Sequence, residues 1–179
     1  MTPAAPPHDE GAPGLVELVV FRVGSEEYAV DVRRVREVVA PLPVRRMPRA
    51  PEFMEGVADL RGEVIPIVDV RRRFGLHAGT PTRKTKLVVV HVGGATVGLV
   101  VDAVLEVMRV PRAAIRPAPP LAGRDAPGLF AGVVGAQSAG RAGREARSGL
   151  KFLLNVKGLF EPPGDMEEAR ARASKAVEP

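Results

Sequence analysis

Short apolar runs rich in Val, Ile and Leu, separated by Gly and Pro, constrain the fold of this 179-residue chain most strongly. Turn residues recur about every 8–12 positions, a spacing typical of all-β domains. No run alternates with the long amphipathic segments of a parallel α/β sheet. The pattern therefore predicts about eight to ten short strands in an all-β barrel or sandwich. The runs are LVELVVFRV, YAVDV, GVADL, EVIPIVDV, LVVVHV, ATVGLVVDAVLEVMRV, LFAGVVGA and LKFLLNV.

Glycine and proline also predict how these runs connect. Arg61-Gly62 falls between GVADL and EVIPIVDV, and Gly93-Gly94 falls between two β-rich runs, so each pair indicates a hairpin turn. Pro66 lacks a backbone donor, which predicts an edge strand or a bulge there. Gly98 indicates a kink or a site of close approach. The segment RRVREVV suits either a short helical turn or a twisted strand, and both interpretations stay open.

The segment DVRRRFGL predicts one short helix. Asp69 is placed to cap it, Val70 and Phe74 share one face, and Gly75 ends it. Three consecutive arginines, residues 71–73, spread over about 200° of such a helix, so they cannot all enter one groove. We therefore expect them to form a solvated face opposite the apolar pair.

The charge of the chain is unevenly distributed. The formal net charge is +5, but residues 15–160 hold 23 Lys/Arg against 14 Asp/Glu, a net of +9, and both ends are acidic. Such a body favours simple solvation, an acidic protein partner or a nucleic acid. Aromatic residues make up only 4%, which argues against stacking on single strands. A basic β-barrel that binds nucleic acid is nevertheless the alternative function that the sequence leaves open.

Groups that could carry out catalysis are scarce. Cysteine is absent, which suits a reducing compartment, and the three histidines have no metal-ligand spacing. No nucleophile elbow or phosphate-binding loop occurs. Asp59, Asp69 and Asp102 are expected to cap turns and to pair with arginines. Neither a secretory signal nor a membrane span is visible. We expect a cytoplasmic protein without catalytic residues, cofactor or metal.

The segment GVADLRGEVIPIVDVRRRFG resembles the signature of the CheW family of chemotaxis coupling proteins. The resemblance extends in order through FRVGSEEYAVDVRRVREVV, VGLVVDAVLEV and LKFLLNVKGLF, and covers about residues 15–161. It implies two intertwined SH3-like five-stranded β-barrels that share a core. Residues 1–14 are then a disordered N-terminal arm, and residues 162–179 a polar C-terminal tail.

The family resemblance also implies a function. Such proteins are non-enzymatic adaptors that link chemoreceptors to a CheA-type histidine kinase, without nucleic acid or direct membrane insertion. One barrel face is expected to pair with the SH3-like regulatory domain of the kinase, and the groove between the barrels to receive the cytoplasmic tip of the receptor. Recruitment to receptor complexes and array-type self-association are further expectations.

Individual residues match the positions that the family uses. Three apolar residues match the kinase-facing surface, although all of them could equally be core valines: Val32, Val35 and Val104. Five others match positions linked to receptor coupling: Glu37, Gly56, Arg61, Val88 and Gly98. For the glycines the alternative role is purely conformational, and for Glu37 and Arg61 it is an intramolecular ion pair.

The chain departs from the family pattern at two places. Asp59 stands where the family usually has Asn, which puts a carboxylate two residues before Arg61. The Gly- and Arg-rich loop 137–149 is longer and more basic than the turn that is usual there. This loop could add a contact to a partner or block a neighbour in an array. No receiver domain is visible in the sequence, so we expect a stand-alone coupling protein.

Overall fold

A computed structural model describes residues 14–118, 128–135 and 149–160 of the chain. The predictions for residues 1–13 of the N-terminal arm 1–14, for most of the loop 137–149 and for the C-terminal tail concern residues outside these ranges. Within the described ranges the elements are β1 Leu15–Val23, β2 Glu26–Asp31, β3 Val35–Val39, β4 Met54–Leu60, β5 Glu63–Asp69, α1 Val70–Arg73, β6 Lys86–Val92, β7 Ala95–Val101, β8 Ala103–Pro111, β9 Ile115–Arg116, β10 Phe130–Val134 and β11 Lys151–Leu154. The all-β prediction is confirmed.

The strands form two sheets, and the chain leaves the first sheet, builds the second and then returns to the first. The first sheet has the order β8-β1-β2-β11-β10-β9, and the second has the order β3-β6-β7-β5-β4. The first sheet therefore takes its strands from both ends of the described chain, while the second is built from the middle. The chain passes from the second sheet to the first at Asp102, between β7 and β8. The resemblance implied five strands in each barrel, and the two-residue β9 adds a sixth to the first sheet.

Each sheet curls around its own apolar cluster, and a third cluster joins the two. Leu18 and Val20 belong to the cluster of the first sheet, whereas Ile65 and Leu87 belong to that of the second. The joining cluster draws on both sheets and includes Phe21, Tyr28, Val88 and Leu99. Burial of these side chains is the main force that holds the two barrels together.

Proline and glycine within the second sheet behave only partly as predicted. Pro66 does not lie on an edge strand, because β5 is placed between β7 and β4. The β7 ladder reaches only Ile67–Asp69, however, so Pro66 is paired on one side alone and no ladder bond is lost. A Cβ atom at Gly98 would lie 2.7 Å from the Cδ1 atom of Ile67 and 2.8 Å from that of Leu87, so Gly98 is a close-approach site, at which side chains rather than a backbone come near.

The segment RRVREVV, left open between helix and strand, contains both. Val32–Arg34 form a single 3₁₀ turn, and Val35–Val39 form strand β3. The side chain of Asp31 accepts a hydrogen bond from the Arg33 backbone N–H at 2.9 Å, which caps this turn. The Arg33 side chain also donates to Asp31, and chiefly this hydrogen bond lowers the pKa of the Asp31 carboxyl. The turn thereby carries the chain from the first sheet into the second.

Helix α1 begins and ends as predicted, but the expected solvated arginine face is wrong. Asp69 caps the helix by accepting from the backbone N–H of Arg71 at 2.9 Å. Arg73 is only 9% exposed, and its guanidinium donates to the carbonyl oxygens of Leu159 (2.9 Å) and Gly158 (3.2 Å). It also lies 5.0 Å from the ring centre of Phe53. A one-turn helix between two barrels points consecutive side chains about 100° apart, so one of the three faces inward.

The other two arginines of α1 are also engaged. Arg71 donates to both carboxylate oxygens of Asp102, with the shortest contacts at 2.7 Å, and Asp102 also accepts from the Gly24 N–H at 2.7 Å. Burial alone would raise the pKa of Asp102, but the hydrogen bonds from Arg71 and Gly24 outweigh it and lower that pKa. Arg72 lies 3.3 Å from Asp69. The predicted use of Asp69 and Asp102 as caps and ion-pair partners is confirmed.

Candidate partner-binding surfaces

The tip of the β4–β5 hairpin is a tight turn that only certain residues can form. Arg61 and Gly62 have φ values of 54° and 89°, so both adopt the left-handed conformation of a type I′ turn. The carboxylate of Asp59 accepts a hydrogen bond from the Gly62 N–H at 2.7 Å. An asparagine side-chain oxygen could accept the same bond, so the departure at position 59 preserves the turn. The turn projects Arg61 outward.

Arg61 pairs with Glu37 of strand β3. Its two terminal nitrogens donate to the two carboxylate oxygens at 3.0 and 2.8 Å. The Glu37 side chain is 19% exposed, whereas that of Arg61 is 71% exposed. The predicted alternative, an intramolecular ion pair, is therefore present. Such exposed pairs contribute only about 0–1 kcal/mol to stability. The solvent-facing side of the guanidinium remains open to a partner.

A second ion pair lies beside the first. Arg36 donates to Glu63 at 2.6 Å, and its Nε atom lies 4.0 Å from the Glu37 carboxylate. Hydrogen bonds from Thr96 and then from Arg36 lower the pKa of Glu63. The two pairs join β3, at one end of the second sheet, to the β4–β5 hairpin at the other end, so they help to close this barrel. We call the region of Glu37, Arg61, Arg36 and Glu63 the hairpin surface.

Sequence reasoning missed Arg36 and Glu63. Each is adjacent, or nearly so, to a residue that the family resemblance did indicate. Their pairing depends on closure of the sheet, which brings together positions 27 residues apart. The only sequence signal is the alternation of charge around Glu37 and Arg61, which is common on exposed strands and specifies no partner.

Three further positions linked to receptor coupling lie below the surface. Gly56 has a φ of 145°, and a Cβ atom there would lie 2.0 Å from the backbone oxygen of Arg45. Arg45 exchanges two backbone hydrogen bonds with Val57 at 2.8 and 2.9 Å, so this segment packs directly on β4. Val88 is fully buried in β6, and Gly98 is buried in β7. These residues can influence a partner only through the shape of the barrel.

The three valines that match the kinase-facing surface share one environment. Val32, Val35 and Val104 are half-buried, and each packs with one side against the cluster that joins the barrels. Val104 is opposite Phe21 in the β1–β8 ladder, and Val35 is opposite Val90 in the β3–β6 ladder. The alternative that all three are fully buried core valines does not hold. We call these three residues the valine surface.

Strand β8, which carries Val104, extends the apolar character of this region. It lies at the edge of the first sheet, so among the described residues one side of its backbone has no strand beside it. Val107 on the same strand is 58% exposed, and Leu105 is also exposed. An edge strand with uncovered apolar side chains is a frequent site of protein association.

Neither surface assembles a group suited to catalysis. Residues 14–118, 128–135 and 149–160 contain no cluster of three or more His, Cys, Asp or Glu side chains that could hold a metal ion. Across the same part of the chain, no helix is long and apolar enough to cross a membrane. Two joined β-barrels with an exposed ion-paired hairpin and an apolar edge strand define a protein-binding scaffold.

Comparison with known proteins identifies the family. Residues 17–161 match the family model described as the CheW-like domain, and the chain belongs to that family. Residues covering 59% of the chain are 42% identical to the chemotaxis protein CheW of Rhizobium meliloti (strain 1021), over 68% of that protein. Protein FrzA of Myxococcus xanthus is 38% identical over 66% of the chain and 73% of its own length. These alignments thus span about two thirds of each relative.

A solved structure supports the same assignment. The scaffolding protein TtCheW from Thermoanaerobacter tengcongensis is 30% identical, with a TM-score of 0.71 over 83% of this chain and 94% of its own. The predicted fold of two SH3-like barrels is confirmed, as is the prediction of a non-enzymatic adaptor in chemotaxis signalling. Proteins of this family couple chemoreceptors to the kinase CheA. Nothing in these comparisons supports the nucleic-acid-binding alternative.

Proposed function

We propose that the two surfaces serve different partners. The valine surface docks the SH3-like regulatory domain of a CheA-type kinase, and the hairpin surface contacts the cytoplasmic tip of a chemoreceptor. The observation that carries this proposal is the exposed Arg61 guanidinium, which Glu37 holds on one side while its other side faces solvent. Gly56, Val88 and Gly98 act indirectly by setting the shape of the barrel that supports the hairpin.

The kinase contact rests on the half-buried valines. Val32, Val35 and Val104 are anchored in the shared core, so they present apolar surface without a large loss of side-chain entropy. Apolar surface next to the open edge of β8 suits another β-barrel, which can cover both the side chains and the strand edge. The exposed residues Leu105 and Val107 lie along the same strand.

The experiment is titration calorimetry of the full chain against the regulatory domain of the cognate kinase. Val104→Asp would place an unpaired charge in the contact, which costs several kcal/mol, so we expect binding to weaken by at least about 100-fold. Val64→Asp is the matched control, because Val64 is 68% exposed and lies at the hairpin rather than on the valine surface. If a folded Val104→Asp protein binds as tightly as the control, the kinase contact is assigned to the wrong surface.

The receptor contact is tested in the same way with a receptor signalling-tip fragment. Arg61→Ala should weaken that binding and leave kinase-domain binding unchanged, because Arg61 belongs to the hairpin surface alone. Equal losses for both partners would contradict the separation of the two surfaces.

We further propose that residues 15–161 form the coupling unit and that this unit brings the protein to receptor complexes. The family match over residues 17–161 supports these limits. A chain shortened to residues 15–161 should bind the kinase domain and the receptor fragment as the full chain does. Array-type self-association is a further part of the proposal, and co-sedimentation of the protein with receptor and kinase on vesicles tests it.

A further inference from the structure

The hairpin surface contains four charged side chains of alternating sign in a continuous row. Arg61 contacts Glu37 at 2.8 Å, Arg36 lies 4.0 Å from Glu37, and Arg36 contacts Glu63 at 2.6 Å. Two guanidinium groups thus flank a single carboxylate, that of Glu37. The second carboxylate, Glu63, attracts one of them away.

The distances show which pairs are formed. Arg61 makes two hydrogen bonds to Glu37, whereas Arg36 lies at the distance limit of an ion pair with Glu37 and donates one hydrogen bond, to Glu63. Opposite charges attract more strongly as they approach, so Arg36 without Glu63 would have Glu37 as its nearest carboxylate. It would then compete with Arg61 for the same two oxygen atoms.

The backbone of Glu63 is held in the β4–β5 ladder, where the residue lies opposite Leu60. Its carboxylate accepts a hydrogen bond from Arg36 at 2.6 Å, and its side chain is 43% exposed. Thr96 of β7 and then Arg36 lower the pKa of this carboxyl. Glu63 therefore provides an anion at a position set by the hairpin, and this anion holds Arg36.

We propose that Glu63 and Arg36 are positioning residues for receptor coupling: Glu63 holds Arg36 away from Glu37, and so keeps Glu37 available to orient Arg61 toward the receptor tip. This inference rests on the proposed role of Arg61 and adds two residues that the family motif does not indicate. Neither Arg36 nor Glu63 needs to contact the receptor. The partner chemistry that an oriented guanidinium recognises is a carboxylate or a backbone carbonyl on the receptor helix.

The first test follows the Arg61 guanidinium by NMR in the full chain without any partner. In Glu63→Gln the side-chain signal of Arg61 should move toward its position in Glu37→Gln, because Arg36 now competes for Glu37. The substitution removes the negative charge that attracts Arg36 but keeps the size of the side chain, so the sheet is undisturbed. Adding Arg36→Gln removes the competitor and should return the signal to its wild-type position. Glu17→Gln, which disrupts an ion pair with Arg109 on the first sheet, is the control and should leave the signal unmoved.

The second test measures binding of a receptor-tip fragment to the same variants. Glu63→Gln should lower the affinity roughly two- to fivefold, the range of an exposed ion pair, and the double variant should regain it. A structural role of Glu63 would give no such recovery, since two substitutions would then be worse than one.

The outcomes separate this inference from the proposed function. If the Arg61 signal does not move in Glu63→Gln, or does not return in the double variant, the positioning role is wrong. If the signal behaves as expected but the wild-type protein binds no receptor fragment, the ion-pair arrangement stands and the proposed receptor contact is wrong.

Discussion

The buried arginine of helix α1 leads to a sharp prediction about stability. Arg73 donates two hydrogen bonds to the carbonyl oxygens of Leu159 and Gly158 and packs on Phe53. A hydrogen bond from a charged donor contributes about 1.5–3 kcal/mol, and Arg73→Met removes two while restoring some apolar contact. We therefore expect the free energy of unfolding to fall by about 2–4 kcal/mol. For a chain of this length the melting temperature should drop by about 5–15 °C.

Arg72→Met is the matched control, because it makes the same substitution in the same helix. Arg72 is more exposed and forms an ion pair with Asp69, so its loss should cost less than about 1 kcal/mol. Urea denaturation followed by circular dichroism gives both values, since the midpoint shifts while the slope stays constant. Equal losses in the two variants would refute the view that Arg73 ties α1 to the 3₁₀ turn Lys157–Leu159.

Three further predictions follow from the same contacts. Gly56→Ala should lower the melting temperature by at least about 5 °C, because its Cβ atom would overlap the backbone of Arg45; an unchanged temperature in calorimetry would contradict this. Asp59→Asn should leave hairpin NMR signals and receptor binding unchanged, whereas Asp59→Ala should disturb both, because only Asn keeps an acceptor for Gly62. The folded-state pKa of Asp102 is lowered, so its contribution to stability is complete above its unfolded pKa, near 4, and is lost as pH falls through the folded value. Between pH 6 and pH 3 the wild-type protein should thus lose more stability in urea titrations than Asp102→Asn; parallel losses would contradict the ion-pair assignment.

Features that depend on local chain chemistry could be predicted from the sequence. Asp69 caps α1, and Gly62 has the positive φ of a hairpin turn, because these roles depend on neighbouring residues alone. Close approach at Gly98 was also predictable, since a glycine within an apolar strand has few other uses. The family signature added the expectation of two barrels, which no local pattern specifies.

Features that depend on distant segments could not be predicted. Arg73 is buried because a segment 86 residues later in the chain supplies the carbonyl oxygens that it needs. Three consecutive arginines are typical of a solvent-exposed helix face, so the sequence alone predicted that Arg73 would be exposed. Likewise, Arg36 meets Glu63 only because the second sheet closes on itself. Pro66 is tolerated on an interior strand because the β7 ladder begins only at Ile67, and no local pattern in the sequence specifies where a ladder begins.

The central claim, that this chain joins receptor and kinase through separate surfaces, is tested most directly by reconstitution. Kinase autophosphorylation is measured with vesicle-bound receptor fragments and wild-type, Arg61→Ala or Val104→Asp protein. We predict that the wild-type chain places the kinase under receptor control. Arg61→Ala should still bind the kinase but transmit little receptor control, and Val104→Asp should fail to recruit the kinase. Full receptor control with Val104→Asp, or none with the wild-type chain, would contradict the proposal.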